Sequence, residues 1–432
     1  MPVPIICLDD ELCHFVERYR SLLSKPQYQY FVIVLLGLML CEGRRTLVGL
    51  LEQVAERTSL SGLSRFLAQA PWDTQAIGQR WLKDFRAKMQ PVIQADHARQ
   101  QRMQPRRRGR PRQPLVTGYL IGDDSTMHKP KGKKMEGLGQ HHSTTADRRL
   151  PGHSMVEGLY VLLGQRCPLL PQLYRQQAIC EQEGVPFQSK IELMEATIRS
   201  FEPVAGTRTH VLLDSWYCAK VLWHAARQRG FAITTGMKSN RWLRIQDASE
   251  PRGWRWQRLA DYAASLEDSV FVECKWPRGG KTVYVHVVTT QVRKLYRCRV
   301  VIVRQELSAP LAQARYWASS DLEADAQTLL GHIAARWDIE VLFGDGKEEL
   351  GLDHYQVMSA TALLRFWTLA MLAYVFLEEE RQRLQTQEFR PVTIGEARRE
   401  LQRRLRRNVL LWLHAQFQSG VQPDALYDLF AA

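Results

Sequence analysis

Apolar positions in the first hundred residues recur at helical spacing, whereas beyond residue 114 short apolar runs alternate with amphipathic ones. ELCHFVERYRSLL and TQAIGQRWLKDFRAKMQPVIQ read as helices. Between them, Leu60, Leu63, Phe66 and Leu67 form one helical stripe in SLSGLSRFLAQAPWD, which Pro71 ends. Residues 30–41 (YFVIVLLGLMLC) and 366–377 (FWTLAMLAYVFL) are apolar over 12 residues each, too short to cross a bilayer, and predict buried helices. Residues 1–100 thus predict a helical domain. With arginines on its outer face it either enters a DNA major groove or packs as a plain helical module.

From residue 115 the pattern changes. LVTGYLIGDDS (115–125), residues 153–163, 166–174, HVLLD (210–214) and FAITTGM (231–237) read as strands. Helices are predicted near 189–202 and 217–229, the latter stopped by Gly230. Such alternation predicts an α/β sheet covered by helices. Residues 238–320 break it: 270–276, 281–292 and 297–304 form a β-meander with PRGG as a hairpin loop. Helical character returns at 325–343, and RRELQRRLRRNVLLWL makes the tail a basic amphipathic helix. The predicted division is a helical domain (1–100), a linker (101–114), an α/β core in two parts (115–237 and 321–378), a β-rich insertion (238–320) and a helical C-terminal region (379–432).

Charge narrows the class. Lys and Arg number 59 against 45 Asp and Glu, a formal +14 over 432 residues, which points to a polyanionic partner and first to nucleic acid. The 45% hydrophobic content excludes a disordered chain. Eight scattered cysteines contain no C-x2-C pair, against a disulfide framework or a structural zinc site, and predict a reduced, cytoplasmic protein. The N-terminal stretch carries acid where a signal peptide carries base, and no membrane partner is expected. Residues 101–114 hold six Arg, three Pro, one Gly and no acid. In their centre Arg108, Arg110 and Arg112, around Gly109 and Pro111, resemble an AT-hook that enters a minor groove; a solvated tether touching phosphates is the plainer reading. Lys131, Lys133 and Lys134 lie in a Gly-rich segment that either approaches a DNA backbone or forms a solvated hairpin. His141 and His142 lack partner ligands for zinc, and Ser215 and Cys218 lack a base–orienter pair.

Two predicted strands end in acid, in IGDDST (121–126) and VLLDSWY (211–217), and residues beyond the carboxyl ends of strands line the crevice of an open α/β sheet. A third acid, Glu340, follows Arg336 by four residues and precedes Lys347 by seven, offsets that share one helix face. A salt-bridge ladder accounts for Arg336–Glu340 alone. Three carboxylates in a basic chain can instead hold two divalent ions for in-line phosphoryl transfer, with Arg and Lys on the phosphates.

On these residues the chain resembles the DDE-type insertion-sequence transposases, specifically the branch with Y-x2-R-x3-E-x6-K and a strand-rich insertion before the Glu. Arg336, Glu340 and Lys347 match R-x3-E-x6-K; Asp214 in LLDSWY matches the second acid, and Asp124, through Asp124-Ser125-Thr126, matches the first. Asp123 remains the alternative, because strand alternation lets only one of the pair face a site. Ile333 stands where the branch has Tyr, and Gly344 and Gly346 predict a kink before Lys347. The resemblance spans most of residues 55–380. It implies a ribonuclease-H-like core split by the insertion, two Mg2+ (or Mn2+) ions held by Asp124, Asp214 and Glu340, phosphate contacts from Arg336 and Lys347, and a Trp in the insertion stacking on a base, with Trp242, Trp254, Trp256 and Trp276 as candidates. It further implies cleavage at element ends and strand transfer into target DNA by a homodimer on terminal inverted repeats. A domesticated DNA-binding regulator and a metal-dependent nuclease without strand transfer are the other readings.

Overall fold

The structure is a computed structural model that describes residues 9–54, 58–103, 116–143 and 146–426. Helices α1 (Asp10–Glu17), α2 (Lys25–Leu40), α3 (Leu47–Leu51), α4 (Leu60–Ala68) and α5 (Thr74–Met103) come first. Strands β1 (Thr117–His128), β2 (Gly139–Ser143), β3 (Arg148–Leu162), β4 (Gln165–Pro168) and β5 (Gln172–Tyr174) follow, then α6 (Gln177–Glu183), α7 (Lys190–Ser200), β6 (Arg208–Leu213), α8 (Lys220–Gln228) and β7 (Ala232–Met237). The next stretch holds β8 (Trp242–Gln246), β9 (Trp254–Arg258), α9 (Leu259–Ala264), β10 (Val272–Lys275), β11 (Thr282–Gln291), β12 (Arg297–Arg304) and β13 (Arg315–Ser319). The chain ends with α10 (Ala326–Ala335), α11 (Asp338–Glu348), α12 (Ala360–Glu388) and α13 (Ile394–Gln418).

One sheet of 11 strands runs β10-β11-β12-β13-β7-β6-β1-β3-β2, with β4 and β5 also paired to β3. Within it β6 lies parallel to β1 and to β7, while β3 is antiparallel to β1. Three parallel strands, β1, β6 and β7, beside antiparallel ones form the ribonuclease-H-like arrangement. The meander forms as its pattern predicts, yet it is no separate module. Residues 315–319, which carried no strand signal of their own in the sequence reading, pair with β7 and carry β10–β12 onto the edge of the core sheet. Among the described residues β8 and β9 form a separate two-stranded sheet, bridged at Leu243 to Val292 just past β11.

Local signals set the helix starts. Ser189 and Glu192 form a capping box at α7, Thr393 and Glu396 another at α13, and the Asp325 carboxylate accepts the Thr328 amide 2.7 Å away at α10. Both apolar runs become buried helices. By length and composition α12 is apolar enough to cross a bilayer, but 89% of that window is buried within the protein. There it packs on α2, α4, α5 and β4, so the first helices share one continuous core with the sheet. The predicted kink at Gly344–Gly346 is absent, for α11 runs unbroken through both. The irregularity falls instead at Arg336–Trp337, where α10 passes into α11 through a tight turn in which Glu340 N donates to Trp337 O at 3.1 Å. Ile333, in place of the branch's Tyr, is buried against the β11–β12 side of the sheet.

Candidate active site

Parallel pairing sets Gly122 of β1 beside Leu213 of β6. One residue further, where β6 ends, Asp214 follows beside Asp123 with side chains on the same face; β1 does not end at its acids as expected but runs on to His128. Asp214 is fixed by its own turn: one carboxylate oxygen accepts the backbone amides of Trp216 (2.9 Å) and Tyr217 (3.2 Å). This turn uses residues predicted to be helical, and α8 begins only at Lys220. It also needs Gly236 on β7, where a Cβ would stand 2.7 Å from the Ser215 nitrogen.

Asp123 and Asp124 are separated by strand alternation. Each side chain is 19% exposed, so exposure does not distinguish them, but their partners do. Asp123 accepts from Arg336 at 3.1 Å, and the other arm of the same guanidinium donates to Glu340. Asp124 points to the opposite face, where it takes the Lys190 ammonium of α7 and the Tyr217 hydroxyl at 3.0 Å. The expected order is thereby reversed: Asp123, not Asp124, shares a face and an arginine with Glu340. The D-S-T match reads spacing along the strand and says nothing of which way each side chain points. The Glu helix is itself pinned, since Asp338 accepts from Arg166 of β4 at 2.6 Å and from Arg278 at 2.8 Å.

The field at this end of the sheet is strongly anionic. Burial, and after it the Asp214 carboxylate, pushes the Asp123 carboxyl up to about 7, against the opposing pull of the Asp124 amide and Arg336. Burial also raises Asp214 despite its two amide donors. Tyr217 is raised by burial and then by Asp124, so it remains a phenol that donates. Directly across β1 from Asp123 lies Glu157 of β3, fully buried, whose Oε1 accepts the Gly158 amide at 3.0 Å. Burial holds its carboxyl well above the ordinary 4.5.

Glu157 gives a stability prediction with a definite sign. A folded-state pKa above the unfolded one means the native chain holds the extra proton, so stability falls as pH rises above about 4.5 until the folded value is reached, by up to ~1.4 kcal/mol per pH unit. Glu157→Gln removes that slope. The melting temperature of the variant relative to the native chain therefore climbs from pH 5 to pH 8; parallel curves would mean that Glu157 ionises normally.

The remaining predicted residues scatter. Lys131, Lys133 and Lys134 are exposed in the turn between β1 and β2. Lys347 is half-buried, near enough to Asp353 and His128 for charge to be felt, and it has no hydrogen bond to Glu340. Trp242, Trp254 and Trp256 cluster on the β8–β9 ribbon, with Trp254 and Trp256 edge to face at 5.7 Å, Arg244 over Trp254 and Arg258 over Trp242. Trp276 packs beside α10 instead. Arg108, Arg110 and Arg112 lie outside the described residues. Sequence reasoning overlooked Lys190 and Tyr217, and also Trp216 and Trp337, which are 62% and 53% exposed beside Asp214 and Arg336. A large aromatic within two residues after Asp214 and after Arg336 was the available signal.

Among the described residues, three ligand atoms of His, Cys, Asp or Glu come within 4.8 Å of one another only at His210, Asp321 and His332. Asp123 and Glu340 are joined through Arg336 rather than oxygen to oxygen.

The model of the DDE superfamily endonucleases matches residues 19–268, more than half of the chain, and a transposase DDE domain matches residues 188–376. A chain from a piggyBac transposase synaptic complex with hairpin DNA aligns over 98% of this chain and 80% of its own, at 11% identity and a TM-score of 0.44. No curated protein matches. The chain belongs to the DDE superfamily of endonucleases and transposases.

Proposed function

We propose that this transposase cuts DNA at the ends of a mobile element and joins the freed 3′-hydroxyl to target DNA, using Asp123, Asp214 and Glu340 as its three acids. Membership of the superfamily implies a divalent metal ion. The donors fit a hard cation: all are carboxylates, and Asp214 spends one oxygen on two amides, leaving the other open. Mg2+, or Mn2+ in its place, would be held by these three residues and would supply charge stabilisation at the attacking and leaving oxygens. The observation that carries the reading is the place of Asp123 and Asp214, each one residue beyond the Gly122–Leu213 pair of β1 and β6, together with the arginine Asp123 shares with Glu340.

The chain's own residues account for the rest of the reading. Arg336 offsets the crowded acids and offers a bidentate fork to a phosphate. Lys190 and Tyr217 hold Asp124 on the far face, where it positions the middle of β1 rather than completing the triad. Exposed Lys131, Lys133 and Lys134 suit the duplex backbone. Trp216 and Trp337, exposed at the site itself, suit base stacking better than the ribbon tryptophans or Trp276. We read the working unit as a homodimer, which processes two terminal inverted repeats together in the cytoplasm.

The test is incubation with duplexes bearing the element's inverted repeats, with Mg2+ or Mn2+. Native protein is expected to nick, then join, in a complex of two chains and two ends by sedimentation, and Asp214→Asn to lose both steps. Binding without cutting would favour a DNA-binding regulator. Cleavage without joined product would leave a nuclease.

A further inference from the structure

About four residues back along β6 from Asp214, roughly 13 Å at strand rise, two buried imidazoles and a carboxylate face one another. His210 of β6 is fully buried, His332 of α10 is 6% exposed and Asp321, just after β13, is 7% exposed. One potential ligand atom from each lies within 4.8 Å of the other two, and the rings approach to 4.1 Å between centroids.

The hydrogen bonding at the two rings is incomplete in a matching way. His210 uses Nε2 on the Thr234 hydroxyl at 2.8 Å, and that hydroxyl in turn donates to Ser319 at 2.8 Å, so Nε2 carries the proton. Its Nδ1 is buried with no hydrogen-bond partner. His332 meets the Tyr119 hydroxyl through Nδ1 at 3.2 Å, and its Nε2 is likewise buried without a partner. Unpaired buried nitrogens are costly, about 1–3 kcal/mol each, and two of them in one buried cluster with a carboxylate require an account. A bound cation supplies one. Metal-ligating histidines characteristically engage a second group through the other ring nitrogen, as Thr234 and Tyr119 do here. Asp321 is oriented by Arg208 at 2.8 Å and by the Glu323 amide at 3.3 Å, each taking a different oxygen.

We propose that His210 Nδ1, His332 Nε2 and an Asp321 carboxylate oxygen bind a transition-metal ion of the imidazole-preferring class, foremost Zn2+. Two imidazoles and one carboxylate form a familiar zinc ligand set, with water as a fourth ligand, and differ in kind from the all-carboxylate centre beyond Asp214. The ion would tie β6, the segment after β13 and α10 together. His332 lies one helical turn before Arg336, so the same ion would fix the base from which the Arg336–Glu340 turn reaches the acids. Burial keeps substrate away, which makes the site structural.

The test is metal content of the full chain, purified without a metal-affinity tag and analysed by elemental mass spectrometry. One Zn2+ per chain is expected in the native protein and in Asp214→Asn, and none in His332→Ala or Asp321→Asn. Chelator-stripped native protein should melt several degrees lower, recover with Zn2+, and on Co2+ addition show the visible absorption of a low-coordinate site that His332→Ala lacks. The native measurements stand even if a variant fails to fold. Native protein that holds no transition metal, gives no Co2+ absorption and does not shift in melting would overturn the proposal, as would full zinc in His332→Ala. Retention of zinc by Asp214→Asn, already inactive in cleavage, separates this site from the carboxylate centre.

Discussion

Asp123→Asn should abolish metal-dependent cleavage, by roughly 10³-fold or more, while Asp124→Asn leaves a protein within about 10–100-fold of native. The first figure follows from losing an acid that would hold the ion: metal stabilisation of the transition state is worth several kcal/mol, and each ~1.4 kcal/mol is tenfold. The second follows from what Asp124 touches. Its partners are Lys190 and Tyr217, so the loss is that of charge-assisted hydrogen bonds tying the middle of β1 to α7 and to the turn after β6, worth about 1.5–3 kcal/mol. Single-turnover cleavage of a pre-nicked end reads the rates, and fluorescence anisotropy on the same duplex should show both variants binding as native does. The opposite ranking, with Asp124→Asn inactive and Asp123→Asn mildly impaired, would move the triad to the face of α7 and discard the pairing with Asp214 and Glu340.

Much of this site is legible along the chain because its chemistry is local in sequence. Strand–acid boundaries reveal Asp214, and an i,i+4 pair reveals Arg336 with Glu340. Orientation is not local. Which of two adjacent aspartates faces Glu340 depends on how β1 is pleated against β6 and α10, and the clearest guide is one residue of register. Lys190 escaped notice because α7 reaches Asp124 only through the fold, 66 residues on. The strands of the insertion are legible in its alternation, whereas their continuity with the core sheet is not, since β13, the strand that stitches them to the core, is too short and polar at its ends to signal itself. His210 and His332 read as ordinary helix and strand residues; only their convergence on Asp321 makes them a group.

Trp81→Ala should destabilise the protein by about 3–5 kcal/mol, roughly a fifth or more of the ~5–15 kcal/mol that holds a typical domain together. Trp81 lies on α5 at 1% exposure, and its indole nitrogen donates to the Pro168 carbonyl at the end of β4, 2.9 Å away. Three residues earlier Gly78 lets the helix come so close to the strand end that a Cβ there would stand 2.4 Å from Leu170. The contact therefore joins the first helices to the sheet, across the boundary that the arginine-rich linker marks in the sequence. Truncation leaves a cavity and a carbonyl without its donor, whereas Trp81→Phe keeps most of the apolar contact and should cost only about 1–3 kcal/mol, chiefly for the unpaired carbonyl. Urea unfolding followed by circular dichroism measures both, and limited proteolysis of the Ala variant should release the fragment before residue 116 first. If Trp81→Ala unfolds within about 1 kcal/mol of native, the helices before the linker fold as their own domain and dock only loosely. A loss of the expected size makes them part of the core that supports the strand ends, and changes made there for DNA recognition then carry a stability cost to the active site as well.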